Sequence, residues 1–280
     1  MREAYKRIKK AYKEIMLSND RKKYNPNKIH FNRKENDNVV TAITNIMSAK
    51  TENGIFTKVI SLDDITNQSS EEIIYVQNDG KVFKANSLNL TVIRCALMAC
   101  LSIELCLGFE NVYQVGFIGD GKINLKTCEL IRDFVGVTNF VVRGKQEGKI
   151  NNLEKFQKYG NIIIDENYEL LNKCDVVICC TNSCDENDVI QNILLKDVPL
   201  IISQDGGYIL GESFRKEREN FTDCVEQLKE NYHEEFPYDK KKHKLNYMKQ
   251  IRNKKNKAVW LYGIALADAL LYERILELCK

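Results

Sequence analysis

The sequence predicts an α/β protein: a doubly wound parallel sheet in the middle of the chain, preceded by a mixed α+β domain. Three observations predict it. From residue 112 to 203, short apolar runs alternate with helical segments, as parallel strands and their crossovers do. The first 108 residues lack that alternation and instead place β-like runs between two helical patterns. In "GDGKIN" (119–124), two glycines stand where the first apolar run of the middle region gives way to a helix.

Length and composition bound the function. A chain of 280 residues accommodates two ordinary domains, and 44% apolar with 29% charged residues is the balance of a soluble globular protein. The opening "MREAYKRIKKAYKEI" is charged throughout and has no apolar core of a signal peptide, so the expected location is cytoplasmic. A net charge of +3 is too small to argue for a nucleic-acid partner. The basic run "KKKHKLNYMKQIRNKKNK" (240–257) has only Tyr247 for base stacking and reads as a solvated loop or helix face. Ten cysteines form no CxxC pair and do not combine with the three histidines at zinc-ligand spacing. Structural thiols in a reducing compartment are expected, and no metal.

In chain order, residues 3–17 set Ala4, Ile8, Ala11 and Ile15 on one helical stripe, with Tyr5, Tyr12 and Met16 beside it. "NPNKIHF" (25–31), "GIFTKVISL" (54–62) and "SSEEIIYVQNDGKVFKA" (69–85) read as strands, the last folded into a hairpin at Asn-Asp-Gly. "LNLTVIRCALMACLSIELCLGF" (88–109) approaches the length of a membrane span but contains Arg94 and Glu104, so it reads as a buried helix and not as a membrane segment. Then follow "YQVGFIG", a helix over about 122–134, "NFVVRG", a helix near 151–158, "NIII", a short helix over 166–173, "DVVICCT" and "VPLIIS". "AVWLYGIALADALLYERILELC" (258–279) is an apolar helix preceded by a strand-like turn.

The glycine turn has the context of a dinucleotide site, with a strand before it and a helix after it. Gly119 permits the bend, and Gly121 permits close approach of the backbone to a pyrophosphate at the helix N-terminus. Asn124 stands at the third position, where glycine or alanine is usual. The second strand lacks the terminal acid that would bind an adenine ribose. It ends in Arg143 and Lys145, which either meet a 2′-phosphate, favouring NADP over NAD, or face solvent.

Four further charged residues stand out. Arg94 lies in "LTVIRCALMACL" and requires an anion, either a structural carboxylate, a substrate carboxylate or a cofactor phosphate. Lys58 in "GIFTKVISL" and Lys28 in "NPNKIHF" pose the same question, with a solvent-facing strand position as the alternative. Asp205 follows the strand "VPLIIS" and precedes two glycines. It is placed for proton transfer at a strand C-terminus or for initiating a turn.

The order of "LTVIRCALMACLSIELC", "VGFIGDGKIN", "CDVVICCTNS", "LIISQDGG" and "VWLYGIALADALLYER" resembles the ornithine cyclodeaminase/μ-crystallin family over residues 4–275. The resemblance implies a substrate-binding and dimerisation domain formed from 1–108 plus 258–280, with a Rossmann domain (109–257) inserted, and a homodimer. It also implies NAD(P)-dependent chemistry at the α-carbon of an amino or imino acid, such as cyclodeamination, ketimine reduction or oxidation of an N-carboxyalkyl amino acid. By position, Arg94 matches the arginine of the family's "LTxLRT" helix and Lys28 that of "PPRTH", both binding the substrate carboxylate, and His30 keeps the histidine of the latter motif. Lys58 matches the lysine beside the reacting carbon, and Asp205 the acid/base for the substrate amine. Gly263 and Asp268 match a "GxxxxD" next to the nicotinamide. The implied cofactor contacts are Gly119, Asp120, Gly121, Lys122, Ile123, Arg143, Thr181 and Gly263.

The chain departs from the family at Lys28, at Cys95 after the helix arginine, at Asn124 and in "GGYILGESF" after Asp205. Two readings follow. One is an oxidoreductase moving a hydride between a nicotinamide and a substrate Cα. The other is a non-catalytic, small-ligand-binding protein with an altered cofactor site.

Overall fold

The computed structural model describes residues 1–35, 39–63, 68–86, 88–144, 150–181, 189–204, 209–231, 245–249 and 256–279. The chain divides into two compact units. One comprises Met1–Arg94, Glu226–Phe236 and Gly263–Lys280, and the other Cys95–Val225 and Pro237–Tyr262.

The first unit opens with α1 (Arg2–Ala11), which continues as a π-helical turn over Tyr12–Met16, and then α2 (Arg21–Tyr24). The π-turn adds a residue to the coil, so the buried stripe advances to Tyr12 and Met16 in place of Ala11 and Ile15. Strands β1 (Ile29–Glu35), β2 (Val39–Lys50), β3 (Gly54–Asp63), β4 (Gln68–Gln77) and β5 (Val82–Asn86) form an antiparallel sheet in chain order. β4 and β5 join at Asn78-Asp79-Gly80, where Gly80 takes φ +85°. Between β2 and β3, the Thr51 hydroxyl accepts hydrogen bonds from the Asn53 and Gly54 N–H groups.

Period-two alternation turns Met47, Ala49, Phe56, Lys58, Glu71, Ile73 and Tyr75 inward. Helix α3 (Leu88–Cys106) spans the division between the units, which falls after Arg94. It is long and apolar enough to cross a membrane, and 72% of Asn89–Cys106 is buried within the protein itself.

In the second unit, β6 (Val115–Ile118), α4 (Lys122–Val135), β7 (Asn139–Arg143), α5 (Leu153–Gln157), β8 (Asn161–Ile164), β9 (Val176–Cys179) and β10 (Leu200–Ser203) follow the predicted alternation. The helix expected over 166–173 is instead a turn ending in a 3-10 segment, Leu171–Lys173. Beyond β10 come α6 (Glu212–Glu217), β11 (Glu219–Thr222), α7 (Val225–Asn231), β12 (Leu245–Tyr247) and β13 (Lys257–Trp260).

The described strands of this unit form an eight-stranded parallel sheet in the order β12-β11-β13-β10-β9-β6-β7-β8. From β6 the chain winds outward to β7 and β8, then returns to β9 on the other side. The boundary between β6 and β9 is thus the topological switch point at which such folds bind ligands. The strand-like segment ahead of the last helix is β13, inside this sheet.

The basic run is not uniformly solvated. Leu245 and Met248 are buried, and Lys257 is fully buried with Nζ donating to the Cys106 carbonyl at 2.7 Å. Burial pushes the Lys257 pKa down. The described cysteines are free thiols, and burial pushes Cys106 and Cys174 up to about 12, which leaves them inert.

The chain returns to the first unit with α8 (Ala265–Leu278). Asn25 Oδ1 accepts the Leu266 N–H at 2.8 Å, capping α8 from a residue far away in sequence. Tyr272 packs on Phe56 and Tyr75, with ring centroids 6.0 and 6.1 Å apart. Burying each such ring contributes about 2–3 kcal/mol.

Candidate active site

In the second unit, the glycine turn follows the pattern of a phosphate cradle. Gly119 has φ +91°, and its N–H donates to the Arg143 carbonyl at 2.9 Å. A Cβ there would lie 2.3 Å from the Cys180 carbonyl oxygen, so only glycine fits. Gly121 precedes the 14-residue α4, with open space where its Cβ would be and no side chain capping the helix. The first amides of α4 are therefore left for an anion.

Asn124 is built into this turn. It is fully buried, and Nδ2 donates to the carbonyls of Ile118 at 3.0 Å and Gly119 at 2.8 Å. The usual small residue lets helix and strand approach, whereas here an amide ties the helix to the strand end. Asp120 brings a negative charge to the turn, but its carboxylate accepts the N–H groups of Asn151 and Asn152, and Asn152 Nδ2 donates to the Asp120 carbonyl. Lys122 is exposed, Ile123 half-buried and Thr181 buried. Arg143 stacks over the Tyr168 ring, 4.2 Å from its centroid, and donates from Nη1 to the Asp165 carbonyl at 3.0 Å. No carboxylate pairs with it among the described residues.

The first unit holds a cluster of buried charges. Lys58 comes from β3, Glu71 from β4, Thr91 and Arg94 from α3, and Asp268 from α8. Lys58 Nζ lies 2.7 Å from Asp268 Oδ2, with both side chains 0% exposed. Arg94 Nε lies 3.4 Å from Asp268 Oδ1. Lys58 also donates to Thr91 Oγ1 at 3.1 Å, and the Thr91 hydroxyl donates to Glu71 Oε2. The other Glu71 oxygen is buried and finds no hydrogen-bond partner among the described residues.

Burial pushes the Glu71 pKa up against the opposing pull of Lys58. Lys58 and Arg94 both reach the Asp268 carboxylate, and Lys58 is linked to Glu71 through the Thr91 hydroxyl. Isolated charges cost several kcal/mol each to bury, so these cations need carboxylates about them.

Gly263 belongs to the same cluster. It has φ +86°, and a Cβ there would lie 2.7 Å from Arg94 Nη1. Lys28 is half-buried in the extended segment before β1, which contains His30. Asp205 lies outside the described residues. Its neighbour Gln204 donates from Nε2 to the Cys95 carbonyl at 2.8 Å.

Sequence reasoning missed Glu71. Its signal was the alternation of Glu71, Ile73 and Tyr75 along β4, which places all three on the inward face. A cleft of about 520 Å³ in the same unit is lined by Arg7, Glu14, Tyr24 and Glu273, and none of the cluster residues lines it.

No family model matches the sequence, and no curated protein sequence matches it. Among solved structures, the chain is similar to the iminosuccinate reductase of Paracoccus denitrificans in complex with NAD+, with TM-score 0.77 and 15% identity over 98% of this chain and 90% of that one. It is similar to the Δ1-pyrroline-2-carboxylate reductase of Thermococcus litoralis in complex with NADH and L-proline, with TM-score 0.73 and 15% identity over 99% and 93% of the two chains. A lysine cyclodeaminase that recognises L-lysine, L-ornithine and L-2,4-diaminobutyric acid gives TM-score 0.77 and 16% identity over 99% and 85%. The chain has the fold of these reductases and cyclodeaminases, the fold implied by the resemblance to the ornithine cyclodeaminase/μ-crystallin family.

Proposed function

We propose that this chain is an NAD(P)-dependent oxidoreductase acting at the α-carbon of a small amino or imino acid. The observation that carries the reading is the convergence of Lys58 and Arg94 on Asp268, which sets two buried cations side by side where an α-carboxylate can be held. The solved structures support the same general kind of chemistry, since they include a reductase bound to NAD+ and another bound to NADH with L-proline.

In this reading, the free amides at the start of α4 hold a pyrophosphate and Arg143 meets a 2′-phosphate, which favours NADP. The bound nicotinamide supplies the hydride acceptor or donor. Arg94 and Lys28 bind the substrate carboxylate, and the positive charge of Lys58 lowers the pKa of the substrate amine. Asp205 takes or returns the amine proton. The product imine is then reduced, hydrolysed or attacked by an internal amine.

The test is a thermal-shift titration of the full chain with NADH and NADPH, because a ligand of the native state raises the melting temperature. A shift with either supports the reading. No shift up to millimolar nucleotide rejects it in favour of a non-catalytic ligand-binding protein. Where a shift occurs, Asp205→Asn abolishes turnover and leaves the shift intact, and retained turnover removes Asp205 from its role.

We also propose that the protein is a homodimer. The outward face of the antiparallel sheet exposes Ile55, Ile74, Val76 and Val82, an apolar surface suited to a second copy of the chain.

A further inference from the structure

We propose that Tyr168 is a positioning residue for Arg143, holding its guanidinium in place so that the second unit selects nucleotides bearing a 2′-phosphate over those with a free 2′-hydroxyl. The inference rests on the reading of this unit as nucleotide-binding.

Arg143 is rooted beside the phosphate turn, because its own carbonyl accepts the Gly119 N–H. Its guanidinium is fixed on two sides, by the Tyr168 ring 4.2 Å away and by the Asp165 carbonyl at 3.0 Å. Among the described residues, no carboxylate pairs with it and its buried Nε has no hydrogen-bond partner. A guanidinium carries five N–H donors in a rigid plane, and a neutral carbonyl and a ring face leave both its charge and its remaining donors for an anion.

The loop carrying the ring is constructed to present it. Tyr168 takes φ +70°, a left-handed conformation rarely adopted by bulky residues. Hydrogen bonds on both sides hold it there. The buried Asp165 carboxylate accepts the N–H groups of Asn167 at 3.1 Å and Leu171 at 2.7 Å. Asn167 Oδ1 accepts the Glu169 N–H, and the Tyr168 carbonyl accepts the Asn172 N–H at 3.0 Å. The loop thus fixes the ring at the face of the Arg143 guanidinium.

The test compares 2′,5′-ADP with 5′-ADP by isothermal titration, using the full-length protein and two variants. Tyr168→Phe keeps the ring. Tyr168→Asn removes it but tolerates the left-handed backbone, and a melting curve confirms that it folds. The wild type is expected to bind 2′,5′-ADP about tenfold more tightly than 5′-ADP, the size of effect one charge-assisted contact gives. Tyr168→Phe retains that ratio, while Tyr168→Asn loses most of it with 5′-ADP affinity unchanged. An unchanged ratio in Tyr168→Asn overturns the role of Tyr168. Equal binding of the two nucleotides by the wild type overturns the 2′-phosphate subsite while leaving nucleotide binding intact. Binding of neither, together with no shift by NADH or NADPH, removes the underlying reading.

Discussion

Lys58 and Arg94 converge on the single carboxylate of Asp268, Lys58 Nζ at 2.7 Å and Arg94 Nε at 3.4 Å. The sequence marks the two cations as charges in apolar runs but does not show that one aspartate serves both. Asp268→Asn therefore removes the carboxylate that both buried cations share. It is expected to cost about 3–5 kcal/mol, read as a fall in urea midpoint or melting temperature. Lys58→Met removes one cation and leaves Arg94 paired with Asp268, so it costs clearly less. Equal losses for the two variants would mean that Asp268 does not balance the cluster.

The state of Glu71 gives stability a defined pH dependence. Burial raises its folded pKa above the ordinary 4.5, so between the two values the native state binds more protons than the unfolded chain. The contribution of Glu71 to stability is thus intact below the ordinary value. It falls as pH rises towards the folded pKa and then levels off. Glu71→Gln mimics the protonated form. The difference in unfolding free energy between wild type and variant is expected to shift in favour of the variant from about pH 4 upwards. A difference independent of pH would mean that Glu71 ionises as readily in the folded chain as in the unfolded one.

The turn amide Asn124 is expected to be structural as well as nucleotide-linked. Asn124→Ala strips the Ile118 and Gly119 carbonyls of a buried donor and costs about 1–3 kcal/mol. Because those carbonyls shape the turn, the thermal shift produced by NADH or NADPH should shrink as well. Loss of stability with an undiminished shift would separate Asn124 from the nucleotide site.

These residues show which parts of the molecule local sequence reveals. The parallel strands, the glycine turn and the Asn-Asp-Gly hairpin are local patterns, and each is legible. β2 was missed because Thr44, Asn45 and Ser48 interrupt its apolar residues on both faces, so "VVTAITNIMSAK" carries no clear period. β12 was missed because three residues in a basic run give no pattern at all. The candidate site divides in the same way. Arg94 and Lys58 stand out against apolar neighbours, whereas Glu71 sits in a polar stretch and acquires meaning only when α3 brings Thr91 to it. The capping of α8 by Asn25 and the stacking of Arg143 on Tyr168 depend on approach between distant segments, which composition does not encode.

The outward sheet face supplies a test of assembly. Ile55 of β3 is in register with Val76 of β4, which is in register with Val82 of β5, so three adjacent strands contribute one continuous apolar row. Their exposures are 55%, 38% and 55%, and Ile74 at 40% extends the row. Each such side chain covered by a partner contributes about 1–2 kcal/mol, and a lysine directed into the covered surface removes that gain and adds the cost of burying a charge. Ile55→Lys combined with Val82→Lys is therefore expected to convert a dimer to a monomer in light scattering at micromolar concentration. Each unit's own core should stay intact, because both side chains point away from Phe56 and Tyr75 on the inward face. A wild-type protein that scatters as a monomer would refute the dimer. A double variant that remains dimeric would move the interface away from this face.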